Sequence, residues 1–382
     1  MRNEIVAVIL VILVAAGLGA GYLAGAGSRQ TLTATATSVS TFTSTSTLVS
    51  TSTVTTTVSL GPPVPASSLE TFNATVGGQP RTIGVDANLD RIYVAYWFAD
   101  NLTVISGITH SVVATIKLPA GSENGIAVDE QTHLVYVSVD GGVVEVNGTT
   151  DQIVGELHPA LGYGTLAYDQ ATHVIYGSAN DALLGIDVQT GSLVANVSLP
   201  HSTDSVAVDP STNMIIAAGC GSRESLVCGS VAFLVNGTSQ TLTKTVQLGG
   251  GTFPRVAVNT YQHLFYVSGD SLAVINDTSG AIVFNVNPQE CGPFDSMVFV
   301  ENTDQLAAIS LDSNFVFIYN GFTGSLLDMY SLSATPQFVA YNGITNELYV
   351  TASSQLMAFR NSAGPGYVDT ALVGSGENCP LP

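Results

Sequence analysis

Short apolar runs separated by polar turns follow one another along most of the chain from about residue 70 onward. The pattern is clearest from Asp129 to Gly148, where a polar turn, an apolar run with a tyrosine, a second turn and a second apolar run occur in that order. The apolar residues alternate or form short blocks, and they show neither the 3.6-residue period nor the caps of helices. The pattern therefore predicts β-strands joined by tight turns.

The polar turn recurs seven times with nearly constant spacing. Each turn starts at a position that we call the anchor, and successive anchors are 40 to 50 residues apart. The anchors are Asp86, Asp129, Asp169, Asp209, Asn259, Val300 and Asn342. A period of about 40 residues that contains only short strands is typical of a β-propeller, with one blade per repeat. We therefore expect an all-β fold, a seven-bladed β-propeller of four-stranded antiparallel blades.

The strand after each turn also carries a family resemblance. The stretches DRIYVAY, HLVYVSV, HLFYVSG and NELYVTA, which start at Asp90, His133, His263 and Asn346, resemble the YVTN family of β-propeller repeats. The resemblance covers roughly residues 70 to 375 and implies the propeller fold, but it implies little about function because propellers serve many tasks. Blades four and six lack the tyrosine, with MIIAAG and QLAAIS in its place.

The N-terminal part of the chain differs from the repeats in composition. Residues 1–27 contain an uncharged segment, Ile5 to Gly27, which is long enough to span a bilayer that needs about 20 residues. They predict a transmembrane signal anchor, with a cleaved signal peptide as the alternative because Ala24-Gly25-Ala26 matches a cleavage site. Residues 28–66 are rich in Ser and Thr with several prolines and predict a disordered, extended stalk.

Residues 67–382 are expected to form the propeller and a C-terminal tail. Two segments compete to complete the last blade, namely residues 69–76 and residues 367–373, and the sequence leaves this open. With an N-terminal anchor, the protein is predicted to be a single-pass protein of the cell membrane with an extracellular C-terminal domain. With a cleaved signal, it would be secreted.

Charge and cysteine content narrow the possible partners. The net charge is −20 and the chain has only nine Lys and Arg residues, so nucleic acid is not an expected partner. Four cysteines in an exported chain predict disulfides. Cys220 and Cys228 flank an insertion in blade four, and Cys291 and Cys379 could tether the C-terminal tail, so we predict these two pairs. The sequence contains no C-x-x-C spacing, so a metal site is not favoured over disulfides.

Six N-x-S/T sequons make the chain a candidate glycoprotein. They start at Asn73, Asn101, Asn147, Asn196, Asn236 and Asn276. The alternative interpretation is turn chemistry, because Asn-Gly-Thr is also a common turn sequence.

The histidines of the repeat have a structural interpretation. His133, His173 and His263 share the fourth position after the anchor, where other blades have Asp or Asn. A position at which His, Asn and Asp replace one another indicates a turn residue rather than a metal ligand. The only tryptophan, Trp97, ends a strand of blade one, and we expect it to pack in the core rather than to lie exposed for sugar or protein contact.

The best candidate site is the ring of residues where the innermost strands begin, because these segments converge around the central channel of a propeller. The polar residues there are Arg81, Asn124, Asp204, Arg255, Asp295 and Gln337. The acidic and amide side chains could coordinate a Ca²⁺ ion, and the two arginines could bind an anionic ligand or pair with the carboxylates. A solvated polar mouth without a ligand is the alternative.

These observations favour a binding module at the cell surface that contacts a protein or a glycan. A structural accessory of a surface layer is a second possibility. A metal-dependent hydrolase or lyase with its site at the channel is a third, although the sequence shows no nucleophile elbow, HExxH motif or phosphate-binding loop. No cofactor is predicted apart from the candidate Ca²⁺.

Overall fold

The structure is a computed structural model of the 382-residue chain. It describes residues 30–41, 47–58, 72–75, 79–97, 99–158, 161, 164–179, 181–220, 229–250, 253–269, 271–286, 293–332 and 334–360. The chain divides into two compact units, residues 1–65 and residues 66–382. The predicted anchor at residues 1–27 lies outside the described residues, and within the described part of the chain no helix is long and apolar enough to cross a membrane.

In the first unit, the Ser/Thr-rich segment contains a pair of strands. β1 (Gln30–Thr41) and β2 (Thr47–Val58) form an antiparallel sheet in which Gln30 lies opposite Val58. The alternation of Thr and Ser with Val and Leu suits strands, because β-branched residues fit a pleated backbone. The role of this segment as a stalk stays a prediction.

The second unit is a seven-bladed propeller, as the repeat predicts, and each blade is a four-stranded antiparallel sheet. The first three blades, from the innermost strand outward, are β4 (Pro80–Asp86), β5 (Arg91–Tyr96), β6 (Asn101–Ser106) and β7 (Val112–Lys117); β8 (Ser122–Asp129), β9 (Leu134–Val139), β10 (Gly142–Asn147) and β11 (Gln152–Leu157); and β12 (Ala167–Asp169), β13 (Val174–Ala179), β14 (Ala182–Asp187) and β15 (Ser192–Ser198).

Blades four to six follow the same order. They are β16 (Ser205–Asp209), β17 (Met214–Cys220), β18 (Gly229–Asn236) and β19 (Thr241–Gly250); β20 (Val256–Asn259), β21 (Leu264–Val267), β22 (Leu272–Asn276) and β23 (Ile282–Val286); and β24 (Ser296–Val300), β25 (Gln305–Ile309), β26 (Phe315–Asn320) and β27 (Leu326–Ser331). A 3-10 turn, Glu301–Thr303, joins the first two strands of blade six.

The seventh blade is completed by a strand from the start of the propeller. Its own strands are β28 (Pro336–Asn342), β29 (Glu347–Ala352) and β30 (Gln355–Arg360), and β3 (Phe72–Thr75) pairs antiparallel with β30 as the outermost strand. The N-terminal candidate therefore closes the ring. Residues 367–373, the competing candidate, lie outside the described residues.

The hydrophobic core lies between the blades rather than inside any one of them. Seven buried clusters occur, and each combines residues of two neighbouring blades, the last joining blade seven to blade one. In β5, for example, Tyr93 and Ala95 pack toward blade two, whereas Ile92 and Val94 pack toward blade seven. Both faces of a middle strand are buried, which explains why these strands are apolar at nearly every position.

The tyrosine of the repeat reaches across this interface. Tyr93 is fully buried, and its hydroxyl lies where a side chain on Gly148 of the next blade would be. Tyr266 likewise donates a hydrogen bond to the Gly321 carbonyl oxygen at 2.8 Å. A Cβ atom at either glycine would crowd the tyrosine hydroxyl. At these two junctions the glycine after the third strand therefore makes room for the tyrosine of the preceding blade.

The anchor turns have one local structure in all seven blades. The residue four positions after the anchor has a left-handed backbone every time, with φ between 51° and 60°, at Asp90, His133, His173, Asn213, His263, Asp304 and Asn346. Asp, Asn and His tolerate this conformation better than most residues. The three histidines therefore occupy a left-handed turn position, as the repeat predicts.

Six of the seven anchors are buried side-chain acceptors, and Val300 is the exception. Asp129 Oδ1, for example, accepts the Gln131 backbone N–H at 3.0 Å, and Asp86 Oδ1 accepts the Leu89 N–H at the same distance. The second oxygen often reaches the next blade, since Asp86 Oδ2 lies 2.8 Å from His133 Nδ1. We call these seven anchor turns the turn face.

The cysteines are only partly described. Cys220 is disulfide-bonded. Cys228, Cys291 and Cys379 lie outside the described residues, so the two predicted pairings stay predictions. The blade-four insertion does fall between β17 and β18, where its length in the sequence placed it.

Candidate binding site at the channel mouth

The seven innermost strands surround a central channel. Each begins at one end of the channel and ends at the turn face, and the channel wall contains residues from all seven blades. Hydroxyl groups join neighbouring strands along this wall. Thr165 Oγ1 accepts the Val206 N–H at 2.8 Å, and Ser205 Oγ accepts the Val256 N–H at 3.2 Å. These bonds satisfy backbone donors on the inner edge of the sheets, which no further strand could pair.

At the end opposite the turn face, the channel opens beside a pocket of about 170 Å³. We call this pocket the channel mouth. It is lined by Gln79, Pro80, Arg81, Trp97, Arg255, Asp295, Leu311, Gln337 and Phe338. Four of the six polar residues predicted for the site, Arg81, Arg255, Asp295 and Gln337, therefore lie around one cavity. This volume far exceeds what a single water needs, so a small organic group fits.

Arg255 is the central charged group of the channel mouth. Its backbone N–H donates to Ser268 Oγ at 2.8 Å, and its Nε donates to the Asp295 carbonyl oxygen at 3.0 Å. Its two terminal nitrogens form no hydrogen bond with any residue that the structure describes. Burial lowers the pKa of the guanidinium, while Asp295 and Asp204 oppose that change. Arginine keeps its charge nevertheless, so a half-buried cation has unused donors here.

Two carboxylates lie near this cation without forming a salt bridge to it. Asp295 Oδ2 accepts the Leu311 backbone N–H at 2.7 Å, which directs the side chain toward the loop of its own blade. Burial raises the pKa of Asp295, and the Leu311 hydrogen bond and the Arg255 charge act in the opposite direction. Asp204 is close enough to influence Arg255 electrostatically. Neither carboxylate satisfies the terminal nitrogens of Arg255.

Gln337 adds a second polar group without a partner. Its carboxamide oxygen is inaccessible to solvent and accepts no hydrogen bond. A buried polar atom left unpaired costs about 1–3 kcal/mol. Together with Arg255, it shows that the polar groups of the channel mouth are not all satisfied by the residues that the structure describes.

Arg81 and Trp97 form one side of the channel mouth. The Arg81 guanidinium carbon lies 4.3 Å from the centre of a Trp97 ring, in the geometry of a cation–π contact. Trp97 is 48% exposed, so the expectation that it packs in the core was wrong. It lies at the turn directly after β5, where its backbone N–H donates to the Gln79 carbonyl oxygen at 3.1 Å.

The remaining predicted site residues are less informative. Asn124 lies in β8 at the start of an innermost strand, but its side chain is outside the described part of the chain. Among the described residues, the carboxylates of the channel mouth join no third carboxylate or imidazole in a compact metal-binding group. The positive charge of Arg255, which interacts electrostatically with Asp204 and Asp295, opposes the binding of a cation to these carboxylates.

The sequons divide into two kinds. Asn147, Asn236 and Asn276 act in turns, where each Oδ1 accepts a backbone N–H two or three residues later. Asn196 is exposed on an outermost strand and Asn101 is half-buried. The side chain of Asn73 is outside the described residues. Glycosylation of all six stays a prediction.

Comparison with known proteins supports the fold and goes no further. No protein-family model matches the chain, and no curated protein matches it. Among solved structures, Kuenenia stuttgartiensis hydrazine synthase is similar with a TM-score of 0.66 and 12% sequence identity, over 74% of this chain and 96% of that chain. Likeness at this identity concerns the fold alone. The resemblance to the YVTN family stays a prediction, and the chain is a seven-bladed β-propeller.

Proposed function

We propose that this chain is a membrane-tethered, extracellular binding propeller that recognises an acidic glycan at the cell surface through its channel mouth. One observation carries the proposal, namely the half-buried Arg255 guanidinium with two terminal nitrogens that no described residue satisfies. A planar guanidinium matches a carboxylate with two parallel hydrogen bonds.

The rest of the channel mouth suits a sugar that carries this carboxylate. Gln79, Gln337 and Asp295 offer amide and carboxylate groups for hydroxyl groups. Trp97 and Phe338 offer apolar surface for the face of a sugar ring. The predicted N-terminal anchor and stalk, residues 1–66, support a position at the cell surface.

The enzyme alternative has less support. A metal-dependent hydrolase or lyase would need a hard cation at the channel mouth, and the Arg255 cation interacts with both carboxylates that would bind it. A structural accessory of a surface layer would share the same location but would leave the unpaired groups of Arg255 and Gln337 without a role.

The test compares two variants of equal charge on an array of neutral and acidic glycans. Arg255→Gln removes the cation of the channel mouth, and Lys244→Gln removes an exposed cation on the outermost strand of blade four. We expect the wild type and Lys244→Gln to bind the same uronic-acid glycans and Arg255→Gln to lose them. Equal binding by both variants, or selection of acidic peptides over glycans, would contradict the proposal.

A further inference from the structure

The junction between blades four and five departs from the repeat at two positions at once. Ile216 stands where most blades have the tyrosine that reaches the next blade. Asp277 stands where blades one, two, four and six have glycine after the third strand. Since that glycine makes room for the tyrosine hydroxyl, the loss of the tyrosine leaves space for a larger residue. The chain places a carboxylate in that space.

This carboxylate joins two residues of the turn face. His263 Nδ1 lies 2.9 Å from Asp209 Oδ2 and 4.0 Å from Asp277 Oδ2. One ligand atom from each of the three residues lies within 4.8 Å of the other two. A point equidistant from atoms at such spacings is roughly 2.0–2.4 Å from each, which is close to the length of zinc–nitrogen and zinc–oxygen bonds.

Hydroxyl groups hold both carboxylates in place. Thr212 Oγ1 donates to Asp277 Oδ2 at 2.6 Å, and Ser211 Oγ donates to Asp209 Oδ1 at 2.6 Å. Metal ligands in proteins are commonly oriented by such outer hydrogen bonds. The ligand set is therefore fixed by the turn on one side and by the neighbouring blade on the other.

The charge of the group also calls for a cation. Asp209 and Asp277 are both completely buried, whereas the His263 side chain is 44% exposed. No Lys or Arg among the described residues forms a salt bridge with either carboxylate. Two buried carboxylates beside one partly exposed imidazole offer the oxygen and nitrogen ligands that a divalent transition-metal ion takes.

We propose that Asp209, His263 and Asp277 bind one divalent transition-metal ion, with zinc as the best fit to one nitrogen and two carboxylate ligands. The ion would connect blade four, which provides Asp209, to blade five, which provides His263 and Asp277. It would take over the link that the tyrosine makes at other junctions. The exposed side of His263 leaves a path for the ion to reach the site.

The chain contains its own control for this site. Asp86 and His133 form the same contact at 2.8 Å between blades one and two, but Gly148 occupies the position of Asp277 there. That junction offers two ligands instead of three. Both histidines can be replaced by Asn, which already occupies the same left-handed position in two other blades.

The experiment is a calorimetric titration of the full chain with zinc after dialysis against a chelator, at neutral pH. We expect one tight ion per chain in the wild type and in His133→Asn, and binding at least tenfold weaker in His263→Asn and in Asp277→Asn. The melting temperature should rise with zinc in the first two proteins only. Cobalt in place of zinc should give the absorption of a four-coordinate nitrogen–oxygen site.

Two results would overturn the proposal. The first is the absence of saturable zinc binding in the wild type. The second is binding that His263→Asn and Asp277→Asn leave unchanged, which would place the ion elsewhere. His133→Asn and His263→Asn each lose one Asp–His contact. A difference in zinc binding between these two variants therefore reports the metal site and not the general effect of losing such a contact.

Discussion

The two ends of the innermost strands use polar residues in opposite ways. At the turn face, buried carboxylates such as Asp86 accept a backbone N–H of their own turn and contact the imidazole of the next blade. At the channel mouth, Arg255 and Gln337 keep hydrogen-bonding groups that no described residue uses. The first arrangement contributes to stability, whereas the second costs stability and is suited to binding.

The repeat itself marks this difference. Six of the seven anchors are Asp or Asn, and the residue four positions later is always Asp, Asn or His. The residues that begin the innermost strands differ from blade to blade, with Arg, Asn, Gly, Asp, Pro and Gln among them. Positions that recur in every blade thus build the ring, and positions that differ are available for a ligand.

The largest effect is expected from a substitution at the turn face. Asp86→Ala removes the acceptor of the Leu89 N–H and the partner of His133, and it leaves buried donors unpaired. We expect the free energy of unfolding to fall by about 3 kcal/mol, with glycan binding unchanged in the folded protein. Denaturant unfolding of the propeller measures the loss. A change below 0.5 kcal/mol, the size of an ordinary surface substitution, would contradict the claim that the buried carboxylates of the turn face stabilise the fold.

The next effect is expected at the channel mouth and concerns affinity instead of stability. Arg255→Gln removes a charged hydrogen-bonding partner of the ligand, which is worth about 1.5–3 kcal/mol of binding free energy. The unfolding free energy should stay constant or rise, because a half-buried charge is removed. Binding and unfolding measurements on the same Arg255→Gln protein check the expected loss of affinity and the expected retention of stability. A clear loss of stability would assign Arg255 a structural role instead.

A smaller effect is expected from pH. Burial raises the pKa of Asp295 above its usual 3.8, so this carboxylate becomes neutral at a higher pH than an ordinary aspartate. Loss of its negative charge near Arg255 should strengthen anion binding as pH falls from about 7 to 4. A sulfated sugar, whose charge does not change in this range, is the suitable probe. In Asp295→Asn the affinity should be high and independent of pH, and an unchanged pH profile would contradict this explanation.

The smallest effect is expected from Trp97→Ala. The cation–π contact with Arg81 contributes about 0.5–1 kcal/mol at an exposed position. We expect affinity for the acidic sugar to fall by only a few-fold, and the unfolding free energy to fall by no more than the about 0.5–1 kcal/mol of this contact, since the side chain is about half exposed. A loss of several kcal/mol in stability would contradict this expectation and would indicate that Trp97 packs in the core.

The sequence predicted the ring because the same pattern occurs seven times, so errors at single blades do not matter. Blade six shows this, since Val300 lacks the side-chain acceptor of the other anchors, yet Asp304 still takes the left-handed conformation with φ of 53°. The strand that closes the ring could not be chosen, because pairing between β3 and β30 joins the two ends of the propeller domain and leaves no local pattern.

The candidate site was only partly predictable. Counting five residues back from the anchors reaches Arg81, Asp295 and Gln337, and Arg255 follows one such position directly, because every innermost strand ends at its anchor. Gln79 and Phe338 also line the channel mouth, but they lie two residues and one residue away from the counted positions. Trp97 was expected in the core, because an aromatic residue at the end of an apolar strand resembles a core residue until the turn that follows is known.

The most direct measurement is a pair of titrations of the full chain at about 0.15 M salt, one with glucuronate and one with glucose. These sugars differ in the carboxylate that Arg255 should bind. We predict one-site binding of glucuronate, with a Kd on the order of 1 mM for so small a ligand, no measurable binding of glucose, and loss of the glucuronate signal in Arg255→Gln. Equal binding of both sugars, or glucuronate binding that survives Arg255→Gln, would contradict it.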